Sequence, residues 1–338
     1  MPIDKRNLVA KVFGAAGITR GLESMTGGKT LIVLNYHRIG NALESQYDPG
    51  VFSATGEEFD WQISHLKRRF YMTTLDEAVD MACGDVPVRS SVLITFDDGY
   101  LDNYSLAFPI LRSHDVQGVF FLPTSFVGIN HIPWWDVIAY IIKNSRKDIV
   151  RLQYPECIEF DLKREGVSMV IMRTLQLYKK PAMKLHNRFI CGLEEACETS
   201  APSPNAERCF MNWVEAREMQ EGGMAFGSHT HTHQILSKLS VEQQREEAFR
   251  SREVLEMQLN RHIDVLAYPV GGRNTFTPET IEAVKSSGYR AAFSFYGGFN
   301  RQGEIQPFNI RRVGVGPQSR SRFRMKMALG ALTGRRWF

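Results

Sequence analysis

Short apolar runs of strand length recur along most of this 338-residue chain, separated by stretches with the three-to-four-residue apolar spacing of helices. Strands joined by crossover helices run parallel, and parallel strands need cover on both faces. The pattern therefore predicts an α/β fold built on a parallel sheet or barrel. Strands are expected at Leu31–Tyr36, Val92–Phe96, Gly118–Leu122, Met224–Gly227, Val265–Tyr268, Ala291–Phe295 and Asn309–Val313. Helical spacing marks Glu57–Phe70, Tyr104–Ser113, Val241–Leu259 and Pro278–Ser287. Residues 146–208 break the rhythm and read as an insertion on the same domain. An apolar content of 43% is enough for a full core.

Several function classes are set aside by composition. The five cysteines are odd in number and scattered, without a C-x-x-C pair, which argues against a disulfide framework or a cysteine zinc site and fits a reducing, cytoplasmic compartment. The apolar stretch Leu8 to Ile18 is interrupted by Lys11, so it reads as an amphipathic helix and not as a secretory leader. No apolar run reaches the ~18 residues of a membrane span. Neither a G-x-x-x-x-G-K loop nor a strand-linked G-x-G-x-x-G is present. The net charge of +4 hides an asymmetry, because Arg311 to Phe338 holds eight Lys/Arg and no acid. No nucleic-acid partner is expected. Instead, the cations interleaved with apolar residues at both ends suit reversible contact with the inner face of an anionic membrane.

Two constellations carry chemistry. Thr95-Phe96-Asp97-Asp98-Gly99 places adjacent carboxylates where an apolar strand gives way to a turn, and residues at the carboxyl ends of strands face the site in α/β folds. Phe226-Gly227-Ser228-His229-Thr230-His231-Thr232-His233 follows another short strand. Imidazoles four apart meet on one side of a helical turn, about 6 Å apart, whereas alternate ones share a face of an extended segment. A helical turn expected after the strand favours His229 and His233 over His229 and His231. One carboxylate with two imidazoles leaves coordination positions open on a divalent metal, Zn²⁺ above all, with Co²⁺, Mn²⁺ and Fe²⁺ compatible. Metal-assisted hydrolysis also needs a base, which the second aspartate supplies. A zincin protease is excluded because Thr230 stands where that motif has its glutamate.

These motifs resemble the polysaccharide deacetylase (NodB-type) family, whose T-F-D-D and H-[ST]-x-x-H signatures are met by Thr95–Asp98 and His229–His233. Leu34-Asn35-Tyr36-His37-Arg38, Gly118-Val119-Phe120-Phe121 and Ala267-Tyr268-Pro269-Val270-Gly271-Gly272 are also family-like, and the likeness runs from about residue 31 to 315. The resemblance implies a distorted (β/α) barrel; outside it, spacing and charge mark an amphipathic segment at 1–30 and a basic tail at 316–338. It implies Asp97 as general base, Asp98, His229 and His233 as metal ligands, and the turn at Tyr268, Pro269 and Gly271 as the place where a backbone N–H holds the oxyanion. Many members carry an arginine just before that turn to hold the base. Here Val265-Leu266-Ala267 has none, and Arg311 or Arg312 is the substitute. Many also end in Leu-x-x-His, but no histidine follows His262. The Tyr36-His37 strand instead resembles the exopolysaccharide-type subgroup, which places the general acid at the early histidine. Trp135, beside Trp134, is a candidate for stacking on sugar. The implied function is removal of an acetyl group from an acetylated saccharide in polysaccharide or glycolipid biosynthesis. The alternatives are hydrolysis of a non-sugar amide and a catalytically silent glycan-binding module. The sequence leaves the oligomeric state open.

Overall fold

The computed structural model describes residues 10–12, 19, 21–22, 29–84, 90–180, 185–203 and 208–334. Most of the expected amphipathic segment at 1–30 and the last four residues, Arg335 to Phe338, lie outside them. Seven strands form a closed parallel barrel: β1 (Thr30–Tyr36), β2 (Ser91–Asp97), β3 (Gly118–Leu122), β4 (Ala225–Ser228), β5 (Val265–Ala267), β6 (Ala291–Ser294) and β7 (Ile310–Gly314). Each pairs with its neighbour in chain order, and β1 closes the ring by pairing with both β2 and β7. The distorted (β/α) barrel expected from the sequence is the fold observed. Each predicted strand appears with its ends shifted by a residue or so.

Strand parity decides which side chains enter the barrel. Alternate residues such as Ile32, Leu34, Tyr36, Val92, Ile94 and Phe96 join the layer that includes Phe59, Ile63 and Leu66 of helix Gly56–Arg69 and Leu255 of helix Val241–Leu259. The opposite parity, Leu31, Val33, Leu93, Val119, Phe121, Val265, Phe293 and Ile310, makes a separate interior cluster. Helix Leu75–Cys83 adds Leu75, Ala78 and Val79 to it. Continuing the inward parity towards the carboxyl ends reaches Asn35 on β1, Thr95 and Asp97 on β2, and Arg312 on β7, all buried. Interior polar residues must satisfy one another there, because water cannot.

The chain divides into two compact units, the barrel unit (1–40, 53–129, 210–338) and a second unit (41–52, 130–209) that contains the expected insertion at 146–208. The second unit holds helices Trp134–Lys143, Val167–Lys179 and His186–Cys197 and a hairpin of Ile149–Leu152 with Ile158–Asp161. Asp48 N–H donates to Asp136 Oδ1, and Lys143 Nζ donates to the Ser45 and Tyr47 carbonyls, tying segment 41–52 to the first of these helices.

The basic end is not a loose tail over its described length. Arg320–Thr333 is a helix, N-capped by Ser319, whose Phe323, Met325 and Met327 are buried. Phe323 packs against Trp61, Thr30 Oγ1 donates to the Ala331 carbonyl, and Lys326 Nζ donates to the Gly314 carbonyl. Phe323, Met325 and Met327, three of the apolar residues interleaved with the cations here, are thus buried within the protein. Among the described residues no helix is long and apolar enough to cross a membrane. Phe323→Ala is expected to lower the unfolding free energy by about 3–5 kcal/mol, the usual range for emptying a buried aromatic site, as measured by urea denaturation.

Candidate metal and catalytic site

Asp97 is the last residue of β2 and Asp98 follows it with a positive φ of 72°. Continued as a strand, the two carboxylates would point to opposite faces. The left-handed conformation, which aspartate tolerates better than most residues, breaks that alternation. Both carboxylates then face His229, whose Nε2 lies 3.8 Å from Asp97 Oδ2 and 3.6 Å from Asp98 Oδ1. Gly99 continues the turn at φ 71°, and a Cβ there would meet Leu122 at 2.7 Å.

The histidine segment is not the helical turn that the four-residue spacing predicts. It leaves β4 as an irregular loop with Thr230 and His233 at φ 66° and 57°, and these two reversals bring the His229 and His233 rings within 4.8 Å between centroids. His231, the alternative ligand, turns aside, with Nδ1 2.7 Å from Thr124 Oγ1. One side chain absent from the sequence reading holds the loop: Glu247 of helix Val241–Leu259 accepts from the His231 and Thr232 N–H groups with Oε2 and from the Thr232 hydroxyl with Oε1. Its signal was an acid on the buried stripe shared by Gln244, Ala248 and Ser251.

Asp98, His229 and His233 offer ligand atoms that all lie within 4.8 Å of one another. The donor set fits a divalent cation on three counts. Asp98 Oδ1 is buried and accepts no hydrogen bond, although His233 Nε2 stands 3.2 Å away. His229 Nδ1 donates to the Ala267 carbonyl at 2.7 Å, which leaves Nε2 with its lone pair towards the carboxylates. Burial pushes the His229 imidazolium down to about 4, so the neutral, ligating form prevails at physiological pH. The third count is charge: two buried carboxylates face one buried guanidinium, and a cation would balance the excess.

That guanidinium is Arg312. Nη1 and Nη2 grip Asp97 Oδ1 and Oδ2 at 2.6 and 2.8 Å, Nη1 also donates to Asn35 Oδ1, and Nε donates to the Ser294 carbonyl. Asn35 returns a bond to Asp97 Oδ2 and accepts from Thr95 Oγ1. Of the two arginines expected to substitute for the missing one, Arg312 enters the barrel, while the Arg311 backbone is bonded to Asn300. Burial alone would raise the Asp97 pKa, but Arg312, with His229 and His37, holds it well below the usual carboxylate range. Asp98 is also held low, its burial penalty outweighed by His233, His37 and His229.

His37 stands at the end of β1, with Nε2 4.0 Å from Asp97 Oδ2 and its ring 5.6 Å from Phe295. Tyr268 is in the core, stacked on Phe276 at 4.2 Å, with its hydroxyl donating to the Phe308 carbonyl. Its own N–H donates to the Phe293 carbonyl, and Pro269 has none. A backbone donor in this turn therefore has to come from Val270 or Gly271, both at positive φ of 62° and 60°. Gly271 has no room for a Cβ, which would lie 2.6 Å from the Phe295 nitrogen. Trp135 belongs to the second unit, where it is 5% exposed and packs edge-on against Trp134.

Three outcomes follow. Arg312→Leu leaves Asp97 as an uncompensated buried charge and should cost about 3–5 kcal/mol in urea unfolding, with Asp97→Asn in the same chain recovering part of it. The folded pKa of Asp97 lies below its unfolded value of ~3.9, so the pair's contribution should be complete above about pH 4 and lost only as pH falls further. Glu247→Ala strips two loop N–H groups of their acceptor and should weaken divalent-metal affinity about 10- to 100-fold in competition titrations with a chromogenic chelator.

A family model described as polysaccharide deacetylase matches residues 85–292. The Bacillus subtilis (strain 168) protein YxkH is 23% identical over 264 residues, covering 77% of this chain. The chain spans 62% of that relative's length. Among solved structures, IcaB from Ammonifex degensii superposes with a TM-score of 0.56 at 21% identity, covering 90% of this chain and 97% of that one. The Streptococcus pyogenes deacetylase PplD, in complex with acetate, gives 0.54 at 18% identity over 85% and 93%. With a closed seven-stranded barrel and a family match over more than half its residues, the chain belongs to the polysaccharide deacetylase family.

Proposed function

We propose that this protein is a metal-dependent deacetylase that hydrolyses the acetyl amide of an N-acetylated saccharide during polysaccharide or glycolipid biosynthesis. The observation that carries the reading is the pairing of two functions on adjacent residues. Asp98 faces His229 and His233 as a ligand set, while Asp97 is held ionised by Arg312 within 4 Å of both His229 and His37. A binding module would need only the first of these. Family membership supports the acetylated saccharide as substrate class.

A divalent cation held by Asp98, His229 and His233, Zn²⁺ being the best match to two imidazoles and one carboxylate, would acidify a water and polarise the acetyl carbonyl. Asp97 accepts the proton of the attacking water. Arg312 keeps it deprotonated at physiological pH, the form in which a carboxylate can accept a proton. Arg312 and Asn35 fix the carboxylate plane, so the base loses no orientation before reaction. A backbone N–H of the Val270–Gly271 turn donates to the oxygen on which charge develops. His37, on the open side of Asp97 and 22% exposed, donates a proton to the departing nitrogen.

Acetate release from a panel of N- and O-acetylated oligosaccharides is the deciding assay, and it should be lost with chelator and return with divalent metal. Release from small amides alone, with none from any acetylated sugar, would overturn the saccharide reading. Asp97→Asn is expected to keep its metal and lose about 10²- to 10⁴-fold in kcat, whereas Asp98→Ala should fail to retain metal in equilibrium dialysis. His37→Ala should lower kcat on amides far more than on aryl esters, because only a poor leaving group needs protonation.

A further inference from the structure

The ring of His37 makes no hydrogen bond of its own among the described residues; Asp97 Oδ2 stands 4.0 Å from its Nε2. With only the Phe295 ring beside it, 5.6 Å between centroids, the imidazole depends on its backbone for its aim. His37 is the single residue between β1 and the short strand Arg38–Ile39. Its peptide groups are satisfied by side chains: the N–H donates to Ser53 Oγ at 3.0 Å, and the carbonyl accepts from Asn103 Nδ2 at 2.7 Å. The next residues are held as well. Asp102 Oδ1 accepts from the Ile39 N–H, and Asp102 Oδ2 accepts from Arg38 Nε at 2.8 Å.

Asn103 is fully buried and opens a π-helical turn, Asn103–Ala107, the wide turn that recurs at functional sites. Its amide nitrogen is committed to two acceptors, the His37 carbonyl and Asp102 Oδ1, and its own Oδ1 is left buried without a hydrogen bond. The amide is thus oriented by its nitrogen, whose shorter bond, 2.7 Å against 3.1 Å, goes to the His37 carbonyl.

We propose that Ser53 and Asn103, backed by Asp102, are positioning residues that aim His37 at the leaving group. One segment, Asp97 to Asn103, then carries the base, the metal-ligand carboxylate and the grip on the acid, so that the three move together. The inference rests on His37 being the proton donor, as proposed above, and its test separates the two.

The experiment compares metal-loaded wild-type protein with Asn103→Ala, Ser53→Ala, His37→Ala and the His37→Ala/Asn103→Ala pair. Each is assayed on an N-acetylated oligosaccharide and on an aryl acetate, with metal content and crystal structures determined in parallel. Asn103→Ala is expected to lower kcat on the amide about 10- to 100-fold, with KM, metal content and aryl-ester turnover within about twofold. In the His37→Ala background it should cause no further loss, since there is no ring left to aim. The crystal structure of Asn103→Ala should show the His37 ring displaced or split. An unchanged ring position, or an equal loss with and without His37, would overturn the grip. Should His37→Ala slow both substrates equally, the acid assignment fails, and the ring position alone decides whether Asn103 holds it. Ser53→Ala removes the other tether without emptying a large site, and it gives the same readouts if Asn103→Ala does not fold.

Discussion

The Arg312–Asp97 pair, sealed inside the barrel, is the interaction on which the rest of the site depends. Period-two alternation carries apolar residues of β1, β2 and β7 into the interior and, further along the same faces, carries Asn35, Asp97 and Arg312 in as well. An isolated charge there would be too costly to keep, but the two-pronged grip of the guanidinium, with Asn35 and Thr95 filling the remaining valences, leaves no member of that group of four unsatisfied. The same grip that makes Asp97 tolerable makes it a weak base.

Beside this pair, residues of the candidate metal site and its loop are held in conformations that a chain adopts reluctantly. Asp98, Thr230 and His233 all have positive φ, and none is glycine. Each left-handed residue of this kind carries a cost of order 1–3 kcal/mol. The neighbourhood offsets it with specific bonds: Glu247 on two loop N–H groups, Ser228 Oγ on the Thr230 N–H, and the Thr124 and Ser125 N–H groups on the Thr230 and His231 carbonyls. The result is a loop over-determined by partners drawn from β4, the helix after it and the turn after β3. Such a loop can hold two imidazoles at ligand distance without a helix to space them.

The C-terminal helix shows where part of the chain's basic and apolar end goes in the fold. Eight cations and no acid from Arg311 onward look like an electrostatic tail. In the fold, Arg312 is consumed inside the barrel, Lys326 caps a strand-end carbonyl, Arg320 reaches Glu57, and the apolar residues between them are buried. Spacing of cations and apolar residues along a sequence does not distinguish a helix that docks on a membrane from one that docks on its own protein.

The sequence by itself determined the barrel strands and the chemical inventory. Strands buried on both faces must be short, apolar and evenly punctuated, and the residues where β2 and β4 end, Asp97-Asp98 and His229 to His233, are polar types that an apolar core would not select. Membership of the family was legible for the same reason, since Thr95–Asp98 and His229–His233 are contiguous. What only the tertiary structure decided are the relations between segments far apart in the chain. Parity and register, not proximity in sequence, chose Arg312 over Arg311 to reach Asp97 across 215 positions. The closeness of His229 and His233 came from two left-handed residues, which no helical spacing rule anticipates. Glu247, Asn35, Ser53 and Asn103 each looked like an ordinary polar residue on a helix, a strand or a turn. They acquired roles because folding brings buried backbone and carboxylate groups to them, and a hydrogen bond withheld from water has to be made with whatever the fold places beside it.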